Sequence, residues 1–368
     1  MVSETMCAAL LTGHGGPDKL VYREDVPVPR PAEGEVLIEV SACGVNNTDI
    51  LVREGAYGTA EDPDAVSSFQ QGKSTLSFPR IQGADIAGCI TAVGEGVPES
   101  RVGERVMVDF SIYNRGDDNP VDDDYIGHGR DGGFAEYATV PADQASVVDT
   151  DMTDVELATF CCAYMTAEHL LERADVRAGE RVLVTGASGG VGSGLVQLCR
   201  ARGAIPFAVA GRAKAEAVEA IGAEAVIVRG EGDLVEAVAA ATGGEPIDVV
   251  ADVVAGPMFN DVLRVLRRKG RYATCGAIAG PVVQLDLRTI YLKHLQLHGS
   301  SQGTRADFRR LVRYIEEGKL KALVGGVYRL SEIHRAQADF KAKDFVGKLV
   351  VVPDSKWNDV VELRGHLT

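Results

Sequence analysis

Residues 181–192 have the residue types and the spacing of a phosphate-binding loop. Their sequence, RVLVTGASGGVG, leads from an apolar run into a glycine-rich turn, and helical periodicity follows. A tight turn lets the backbone approach a pyrophosphate closely, and the N-terminus of a helix offers N–H groups to the anion. Ala187, Gly189 and Gly192 occupy the three positions of G-x-G-x-x-G, with alanine in the first. Because the turn lies between a strand and a helix, the sequence predicts a dinucleotide-binding site.

The end of the second strand indicates which dinucleotide is bound. Residues 206–210 form this predicted strand, and Gly211-Arg212-Ala213-Lys214 follows it. A carboxylate here would bind the ribose 2′-hydroxyl of NAD, but none is present. Gly211 leaves room for a 2′-phosphate that Arg212 and Lys214 can neutralise, so NADPH is favoured. Alternatively, Arg212 belongs to a solvated helix start. The pyrophosphate itself is expected on Ser188, Gly189, Gly190, Val191 and Gly192.

Strands and helices alternate through the middle of the chain. Residues 181–185 are a predicted strand, residues 191–202 a predicted helix, and further strands and helices follow in turn. This order predicts an α/β fold with a doubly wound parallel sheet. Residues 154–174 are expected to form one helix, and Lys348–Val352 a late strand. Residues 1–150 instead carry short apolar runs between Gly, Pro and Asp clusters, which predict a β-rich domain.

Two polar stretches interrupt the β-rich part of the chain. Residues 55–78 show little periodicity, and residues 114–133 include the acidic run Asp122-Asp123-Asp124. Both are predicted to be long loops, which are functional or disordered in compact domains. The acidic run lacks the spacing of a calcium-binding loop. Either stretch could shape a substrate pocket.

The composition excludes several classes of protein. With 38 Lys and Arg against 53 Asp and Glu, the net charge is −15, which argues against nucleic-acid and membrane partners. The 7 cysteines include no C-x-x-C pair, which argues against a disulfide framework. The first residues lack the pattern of a signal peptide, and no run of about 18 apolar residues occurs. We therefore expect a cytoplasmic enzyme with a small-molecule substrate.

Five short motifs follow one another along the chain before the predicted phosphate-binding loop. They are GHGGP at 13–17, ACGVNNTD at 42–49, VGEGV at 93–97, VGERV at 102–106 and GGFAEY at 132–137. In this order the sequence resembles the medium-chain dehydrogenase/reductase superfamily over nearly the whole chain. The resemblance implies a GroES-like β-rich catalytic domain and a Rossmann domain. It implies 1–152 as the first catalytic part, 153–298 as the NADP(H)-binding domain and 299–368 as the second catalytic part.

The metal-ligand positions of this family carry different residues here. Zinc-dependent alcohol dehydrogenases of the superfamily have a Cys, a His and a later Cys where this sequence has Asn46, Ala84 and Cys162. Catalytic zinc needs about three protein ligands, so the resemblance implies that no metal is bound. The segment 44–46, followed by Asp49, resembles the zinc-free quinone oxidoreductase-like branch. That branch uses NADPH to reduce quinones, enones or related activated double bonds.

The resemblance also implies further contacts to the cofactor. By family position, Thr166 would lie near the nicotinamide and Lys348 would reach the phosphates. Beside the ribose and nicotinamide, the expected contacts are Val254, Gly276, Ala277 and Ile278. The family further implies a homodimer or homotetramer that assembles through the Rossmann domain.

Hydride transfer to a conjugated carbon builds negative charge on the carbonyl oxygen. Without zinc, hydrogen-bond donors must stabilise that charge, and Asn46 and Thr48 are the first candidates. A proton must also reach the substrate from Thr48, a tyrosine or water. Asp49 and Asp85 are expected to orient the neighbouring donors. The candidate catalytic residues are Asn46, Asn47, Thr48, Asp49, Tyr57 and Asp85.

Three functions remain open at this point. The first is a zinc-independent, NADPH-dependent reductase of a quinone, enone or enoyl group. The second is an NADP(H)-dependent alcohol dehydrogenase or carbonyl reductase with Thr48 as the proton relay. The third is a non-catalytic NADPH-binding protein, because folds of this kind also serve without turnover.

Overall fold

The chain divides into two compact units. The structure, a computed structural model, describes residues 3–57, 76–113 and 120–364. Unit 1 comprises Met1–Cys162, Thr304–Phe308 and Ala322–Thr368, and unit 2 comprises Ala163–Gly303 and Arg309–Lys321. Unit 1 therefore draws on both ends of the chain. The boundaries 152/153 and 298/299 stay a prediction beside this division.

Short strands dominate unit 1, whereas strands and helices alternate in unit 2. The strands are β1 (Thr5–Leu11), β2 (Leu20–Pro27), β3 (Glu35–Gly44), β4 (Arg80–Ile81), β5 (Asp85–Val93), β6 (Arg105–Val108), β7 (Ser111–Tyr113), β8 (Pro120–Tyr125), β9 (Tyr137–Pro141), β10 (Ala145–Val147), β11 (Arg181–Val184), β12 (Ile205–Ala210), β13 (Ala225–Val228), β14 (Ile247–Asp252), β15 (Leu266–Thr274), β16 (Gln296–Gly299), β17 (Val324–Arg329) and β18 (Lys348–Val352). The helices are α1 (Asn47–Arg53), α2 (Asp154–Leu157), α3 (Cys161–Arg173), α4 (Gly190–Ala201), α5 (Ala215–Ala220), α6 (Leu234–Ala241), α7 (Phe259–Arg264), α8 (Leu287–Lys293), α9 (Arg305–Glu316), α10 (Ile333–Ala342) and α11 (Trp357–Arg364).

The main sheet of unit 1 places the late strand β18 directly beside β3. Its order is β10-β6-β5-β3-β18-β17, and β9 also pairs with β3. β18 runs antiparallel to β3, with Val350 opposite Gly44, while β3 pairs with β5, with Gly44 opposite Asp85. Gly44 therefore has β18 on one side and Asp85 on the other. This arrangement brings the C-terminal part of the chain next to the end of β3.

Apolar side chains at alternate positions build the core of unit 1. Val36, Ile38 and Val40 of β3 are fully buried, as a strand with period-two side chains requires. They pack in one cluster with side chains of β5 that include Ile86 and Ile90. Burial of each such side chain contributes about 1.5–3 kcal/mol. The core therefore gives the end of β3 a rigid support.

Unit 2 contains a parallel sheet of six strands. Their order is β13-β12-β11-β14-β15-β16, and every described pair in it is parallel. The direction of the strand order reverses between β11 and β14. Ligands of open α/β sheets bind at the carboxyl ends of the strands at such a reversal. The predicted α/β fold class is thus confirmed.

The structure bears differently on the two predicted long loops, 55–78 and 114–133. Residues 58–75 and 114–119 lie outside the described residues, so most of the 55–78 prediction falls there. The prediction of a loop over 114–133 is wrong at β8, because Pro120–Tyr125 pairs with β7 as an antiparallel strand. Asp124, the last residue of the acidic run, is buried and accepts a hydrogen bond from its neighbour Tyr125 N–H at 2.8 Å.

Two further features concern the whole described chain. All seven cysteines are free thiols. Across residues 3–57, 76–113 and 120–364, none of the helices combines the length and the apolar character needed to cross a membrane.

Candidate functional site

Helix α1 begins at the residues that the sequence predicts to be catalytic. Asn46 precedes the helix in an extended conformation, with φ −124° and ψ 160°. The carboxylate of Asp49 accepts the backbone N–H of Asn46 at 2.7 Å, which satisfies a donor that the helix start would otherwise leave unpaired. This bond fixes the turn from β3 into α1. Asn46, Thr48 and Asp49 are thereby held in the first turn.

The side chain of Asn46 lies in a buried charged cluster. Its Nδ2 donates to Asp85 Oδ2 at 2.9 Å, and its Oδ1 accepts from Lys348 Nζ at 2.5 Å. Lys348 also donates to Asp85 Oδ2, at 2.6 Å. Lys348 and Asp85 are 3% and 0% exposed at their side chains. A cation and an anion, both buried, therefore hold one amide between them.

Asp85 receives a further bond from the start of α3. Its Oδ1 accepts the backbone N–H of Cys162 at 2.5 Å. A Cβ at Gly44 would lie 2.5 Å from Asp85 Oδ2 and 2.5 Å from the Ala158 carbonyl oxygen. Only glycine fits at that position without a shift of its neighbours. The Asp85 carboxylate is therefore packed directly against the backbone of β3.

Asp49 is a second buried carboxyl in the same region. Burial raises its pKa to about 7, although the Asn46 N–H and the charge of Lys348 act in the opposite direction. The residue is 1% exposed, and its backbone carbonyl accepts a hydrogen bond from Gln82 Nε2 at 2.9 Å. Burial therefore brings the pKa of this carboxyl close to neutral pH.

Two phenols belong to the same electrostatic neighbourhood. Burial raises the pKa of Tyr57 to about 12, and the charges of Cys162 and Asp49 act in the same direction. Burial also holds the pKa of Tyr125 well above its ordinary value, as does Asp49, whereas a contact with the Thr48 hydroxyl lowers it. Both phenols are therefore protonated and uncharged at physiological pH.

The structure brings together five of the six predicted catalytic residues. They are Asn46, Thr48, Asp49, Tyr57 and Asp85. Asn47 differs, because its side chain is exposed and its Oδ1 accepts from Lys343 Nζ at 2.9 Å. The role predicted for Asn47 therefore does not fit its position.

Lys348 and Tyr125 are members of this cluster that the sequence does not predict. Lys348 is predicted at the cofactor phosphates, and that role stays a prediction; in the structure its ammonium donates to Asp85 and Asn46. The sequence does contain one signal: Lys348 opens the strand KLVVV, whose other four residues are all apolar. A lysine is almost never fully buried unless it is paired. No sequence signal points to Tyr125.

The donor atoms of this cluster do not fit a zinc ion. Ala84 carries no ligand atom, and the Oδ1 of Asn46 already accepts from a cation. Of the three positions that carry the zinc ligands in the zinc-dependent relatives, 46, 84 and 162, only Cys162 has a donor that zinc prefers, whereas a catalytic zinc needs about three. In the part of the chain that the structure describes, no group of three or more His, Cys, Asp or Glu could hold a metal ion.

The predicted phosphate-binding loop in unit 2 has the geometry that its glycines imply. β11 ends at Val184, and α4 begins at Gly190 after the extended N-cap Gly189. A Cβ at Gly192 would lie 2.1 Å from the Gly186 carbonyl oxygen, whereas a Cβ at Gly189 would meet nothing closer than 3.6 Å. Gly192 therefore permits the close packing of the turn, and the exposed Gly189 leaves the helix N-terminus open. This shape fits a pyrophosphate.

A buried carboxylate at the end of β14 supports this loop. Asp252 accepts from the Thr185 hydroxyl at 2.5 Å, from the Tyr272 hydroxyl at 2.7 Å and from the Val254 N–H at 2.9 Å. Gly186 faces the Val254 side chain, because a Cβ at Gly186 would lie 3.1 Å from Val254 Cγ2. The Asp252 bonds thus fix the turn against which the loop packs.

The predicted cofactor residues Val254, Gly276, Ala277 and Ile278 lie near the same edge of the sheet. Gly276 follows β15, and a Cβ there would lie 3.2 Å from the Val253 carbonyl oxygen. The same carbonyl oxygen accepts the N–H of Ile278 at 3.5 Å. Residues 276–278 therefore run beside residues 253–254. Thr166 lies in α3 and is half-buried.

The residues predicted for the 2′-phosphate follow β12 on the surface. Arg212 is exposed and donates through Nε to Glu231 at 2.9 Å. Nothing lies within 4 Å of a Cβ placed at Gly211, so there is space beside the carboxyl end of β12. Lys214 closes the same short turn, Arg212–Lys214. Glu231, which the sequence does not predict here, competes for the Arg212 guanidinium.

Known proteins resemble this chain over nearly its whole length. Residues 32–150 match the family described as alcohol dehydrogenase GroES-like domain, and residues 190–317 match zinc-binding dehydrogenase. Quinone oxidoreductase of Sus scrofa is 29% identical over 94% of this chain and 98% of its own. Acryloyl-coenzyme A reductase of Metallosphaera sedula is 30% identical over 94% and 99% of the two chains.

A solved structure is more similar still. It belongs to a Sinorhizobium meliloti 1021 protein assigned as an alcohol dehydrogenase, with 71% identity, a TM-score of 0.92 and coverage of 96% of this chain and 98% of that one. A 2-octenoyl-CoA carboxylase reductase that is 25% identical, with a TM-score of 0.84, has been solved with NADP and 2-octenoyl-CoA, so a relative of this type binds a nicotinamide cofactor and a small-molecule substrate. The predicted combination of a GroES-like domain and a Rossmann sheet is confirmed. The chain therefore belongs to the medium-chain dehydrogenase/reductase superfamily of oxidoreductases.

Proposed function

We propose that this protein is a zinc-independent, NADPH-dependent reductase of conjugated carbonyl compounds: quinones, enones or enoyl groups. The observation that carries the proposal is the Asn46 amide, which Asp85 and Lys348 hold where zinc-dependent relatives have a metal ligand. Similarity to a quinone oxidoreductase and to an acryloyl-coenzyme A reductase supports the same acceptor class.

The polar residues of unit 1 would stabilise the charge that develops on the substrate oxygen. An amide nitrogen carries two N–H groups, and Asn46 uses one of them on Asp85. We assign the second N–H to the substrate oxygen, with the Thr48 hydroxyl as a further donor. A preorganised donor of this kind is worth about 3 kcal/mol in the transition state. Tyr57 and Tyr125 are candidates to deliver the proton that completes the reduction, because both phenols stay protonated at neutral pH.

Unit 2 has the features that would hold NADPH. The open N-terminus of α4 would receive the pyrophosphate, and Arg212 and Lys214 would face the 2′-phosphate. When bound, this cofactor supplies the hydride. Thr166, Val254 and residues 276–278 are the proposed contacts to the rest of the cofactor.

An acceptor panel tests the reaction class. NADPH oxidation is followed at 340 nm in metal-free buffer with a chelator, using a quinone, an enone, an enoyl thioester and a saturated ketone, with products identified. We expect turnover of conjugated acceptors to products reduced at the double bond or quinone ring, with no loss of rate in the chelator. Alcohol formation from the saturated ketone alone would favour an alcohol dehydrogenase, and NADPH binding without turnover would favour a non-catalytic protein.

A pair of neighbouring asparagines tests the donor assignment. Asn46→Ala should lower kcat on the order of a hundredfold, because it removes the proposed oxyanion donor. Asn47→Ala is the matched control, since that side chain is exposed and bonded to Lys343. Equal kcat values for the two variants would remove Asn46 from the mechanism.

Substitutions of Arg212 and of its partner Glu231 test the choice of cofactor. Arg212→Ala should weaken NADPH binding on the order of tenfold and leave NADH binding unchanged, because only NADPH carries the 2′-phosphate. Glu231→Gln should tighten NADPH binding, since it frees the guanidinium from a competing carboxylate. Arg200→Ala, which breaks the exposed pair with Glu224, serves as the control. Unchanged NADPH affinity in Arg212→Ala contradicts the assignment.

We also propose that two copies associate through unit 2. β16 is the last strand of the six-stranded sheet, and exposed apolar side chains lie on and near it. These side chains are Leu287, Tyr291, Leu292 and Leu297. Sedimentation velocity should show a homodimer or homotetramer, and Leu292→Glu should shift it to monomer. A monomeric wild-type protein at micromolar concentration contradicts this.

A further inference from the structure

The ammonium of Lys348 is a buried cation with a defined place in the fold. Lys348 begins β18, every residue of which is buried, and its Nζ lies 2.5 Å from Asn46 Oδ1 and 2.6 Å from Asp85 Oδ2. The chain pairing explains this place. Val45 N–H donates to the Leu349 carbonyl at 2.8 Å, which holds the start of β18 beside the residue that precedes Asn46.

The charges around this ammonium balance it. Asp85 is in direct contact, and Cys162 and Asp49 act on it through their charge. Burial by itself lowers the pKa of Lys348, but Asp85, Cys162 and Asp49 outweigh that effect and hold the pKa above its ordinary value. The charged form of the lysine is therefore favoured at neutral pH.

We propose that Lys348 is the fixed cation of this site and replaces the metal ion that the zinc-binding branch of the family uses. It takes the two oxygens, Asn46 Oδ1 and Asp85 Oδ2, that would otherwise be open to a cation. Its role in the reaction rests on the function proposed above. The exclusion of a metal ion by Lys348 is independent of that function. The role in the reaction and the exclusion of a metal are therefore tested separately.

Lys348 acts on the reaction as a positioning residue for Asn46. An ammonium can only donate hydrogen bonds, so it must face the amide oxygen, and a carboxylate can only accept them, so it must face the amide nitrogen. The pair therefore fixes which way the Asn46 amide points. The positive charge at Oδ1 also polarises the amide, which makes its second N–H a stronger donor.

Zinc binding by variants with restored zinc ligands tests directly whether Lys348 takes the place of the metal ion. The first variant, Asn46→Cys with Ala84→His, restores the ligand types of the zinc-dependent relatives beside Cys162 and keeps Lys348. The second adds Lys348→Met. Each is incubated with zinc sulfate, desalted and measured for zinc content and thermal stability.

We expect about one zinc ion per chain and a raised melting temperature only in the variant that lacks Lys348. The variant that keeps Lys348 should be substoichiometric, because its ammonium competes with the ion. Equal zinc content in the two variants, whether high or low, would overturn the proposal. This readout needs no activity, so it holds even if no acceptor is found.

Turnover of the charge variants tests the positioning role. Lys348→Met removes the charge at nearly constant length, and Lys348→Arg keeps it. Combining Lys348→Met with Asp85→Asn removes both charges and so avoids an unpaired buried carboxylate. Fluorescence of Trp357, the one tryptophan of the sequence, verifies that unit 1 is folded in each.

In both variants without the lysine, kcat should fall on the order of a hundredfold, with little change in the acceptor KM, because the donor is misplaced in the transition state. Lys348→Arg should recover at least part of kcat. A folded Lys348→Met variant with kcat within twofold of wild type would overturn the positioning role. A wild-type protein that turns over no acceptor instead contradicts the proposed function and leaves the zinc comparison standing.

Discussion

Each of the two units buries an aspartate beside its candidate functional residues, but the partners differ in charge. Asp85 in unit 1 is bound by the Lys348 ammonium, the Asn46 amide and a backbone N–H. Asp252 in unit 2 is bound by two hydroxyls and by backbone N–H groups, and its contacts include no cation in the described residues. Both carboxylates are essentially inaccessible to solvent.

The difference separates two uses of a buried carboxylate. Neutral donors around Asp252 hold a turn of the backbone in place, which the adjoining phosphate-binding loop requires. The fold does not require a buried cation beside Asp85, because a buried ion pair rarely makes a protein more stable than apolar residues of similar volume would. The charged pair is therefore better explained by the chemistry of the site than by stability.

Loss of the cation should give the largest effect on stability. Lys348→Met leaves Asp85 buried without a counter-charge, which should lower the free energy of unfolding of unit 1 by about 3–5 kcal/mol. Urea unfolding followed by Trp357 fluorescence measures this, because that tryptophan lies in unit 1. Adding Asp85→Asn should restore most of the loss. If the double variant is as unstable as the single one, the charge pair is not the cause.

The pH dependence of stability extends the comparison to Asp49, a carboxyl that forms no ion pair within the described residues. Burial raises its pKa from 3.8 to about 7, so the folded protein binds a proton that the unfolded chain has already released. The free energy of unfolding should therefore fall as pH rises from about 4 to about 7, by up to about 1.4 kcal/mol per pH unit. Asp49→Asn should remove this part of the slope.

Asp109 provides a matched control for the pH experiment. Burial raises its pKa to about 7 as well, against the bond from the Tyr113 hydroxyl at 2.8 Å. Asp109→Asn should remove a slope of similar size, and the double variant the sum of both. Urea unfolding at several pH values between about 5 and 7 measures the slopes. An Asp49→Asn slope equal to that of wild type contradicts the assignment.

Removing one neutral donor from Asp252 should have a smaller effect than removing the cation from Asp85. Tyr272→Phe deletes the 2.7 Å bond and should cost about 1.5–3 kcal/mol, because the acceptor is charged but keeps its other donors. Thr185→Val tests the second hydroxyl at nearly constant shape. Circular dichroism on urea titration measures both. A cost as large as that of Lys348→Met would remove the distinction between the two aspartates.

The sequence predicts the backbone elements around both sites well. Lys348–Val352 is confirmed as a strand, and the helix predicted at 191–202 is observed at Gly190–Ala201. The single helix expected at 154–174 is instead two, α2 and α3, with a break before Cys161. That break places the Cys162 N–H at Asp85. Apolar periodicity continues across the break, so the pattern does not reveal it.

The partners of the buried charges are harder to predict than the elements. The identities of Asn46 and Asp85 follow from motif positions, but their bond to Lys348 joins residues that are 302 and 263 positions apart. Only the strand order β5-β3-β18 makes that contact, and strand order depends on the whole fold rather than on a local pattern. The same reason explains why Glu231 is not predicted beside Arg212.

The smallest effect on stability is expected for an exposed ion pair in unit 2. Arg212 and Glu231 are 71% and 50% exposed at their side chains, so water screens their attraction. Arg212→Ala should therefore leave the melting temperature unchanged within error in the absence of cofactor. With saturating NADPH the variant should melt below wild type, because weaker binding of the cofactor to the folded state stabilises it less. Equal melting temperatures with NADPH would mean that Arg212 binds nothing beyond Glu231, and the cofactor preference would then need another residue.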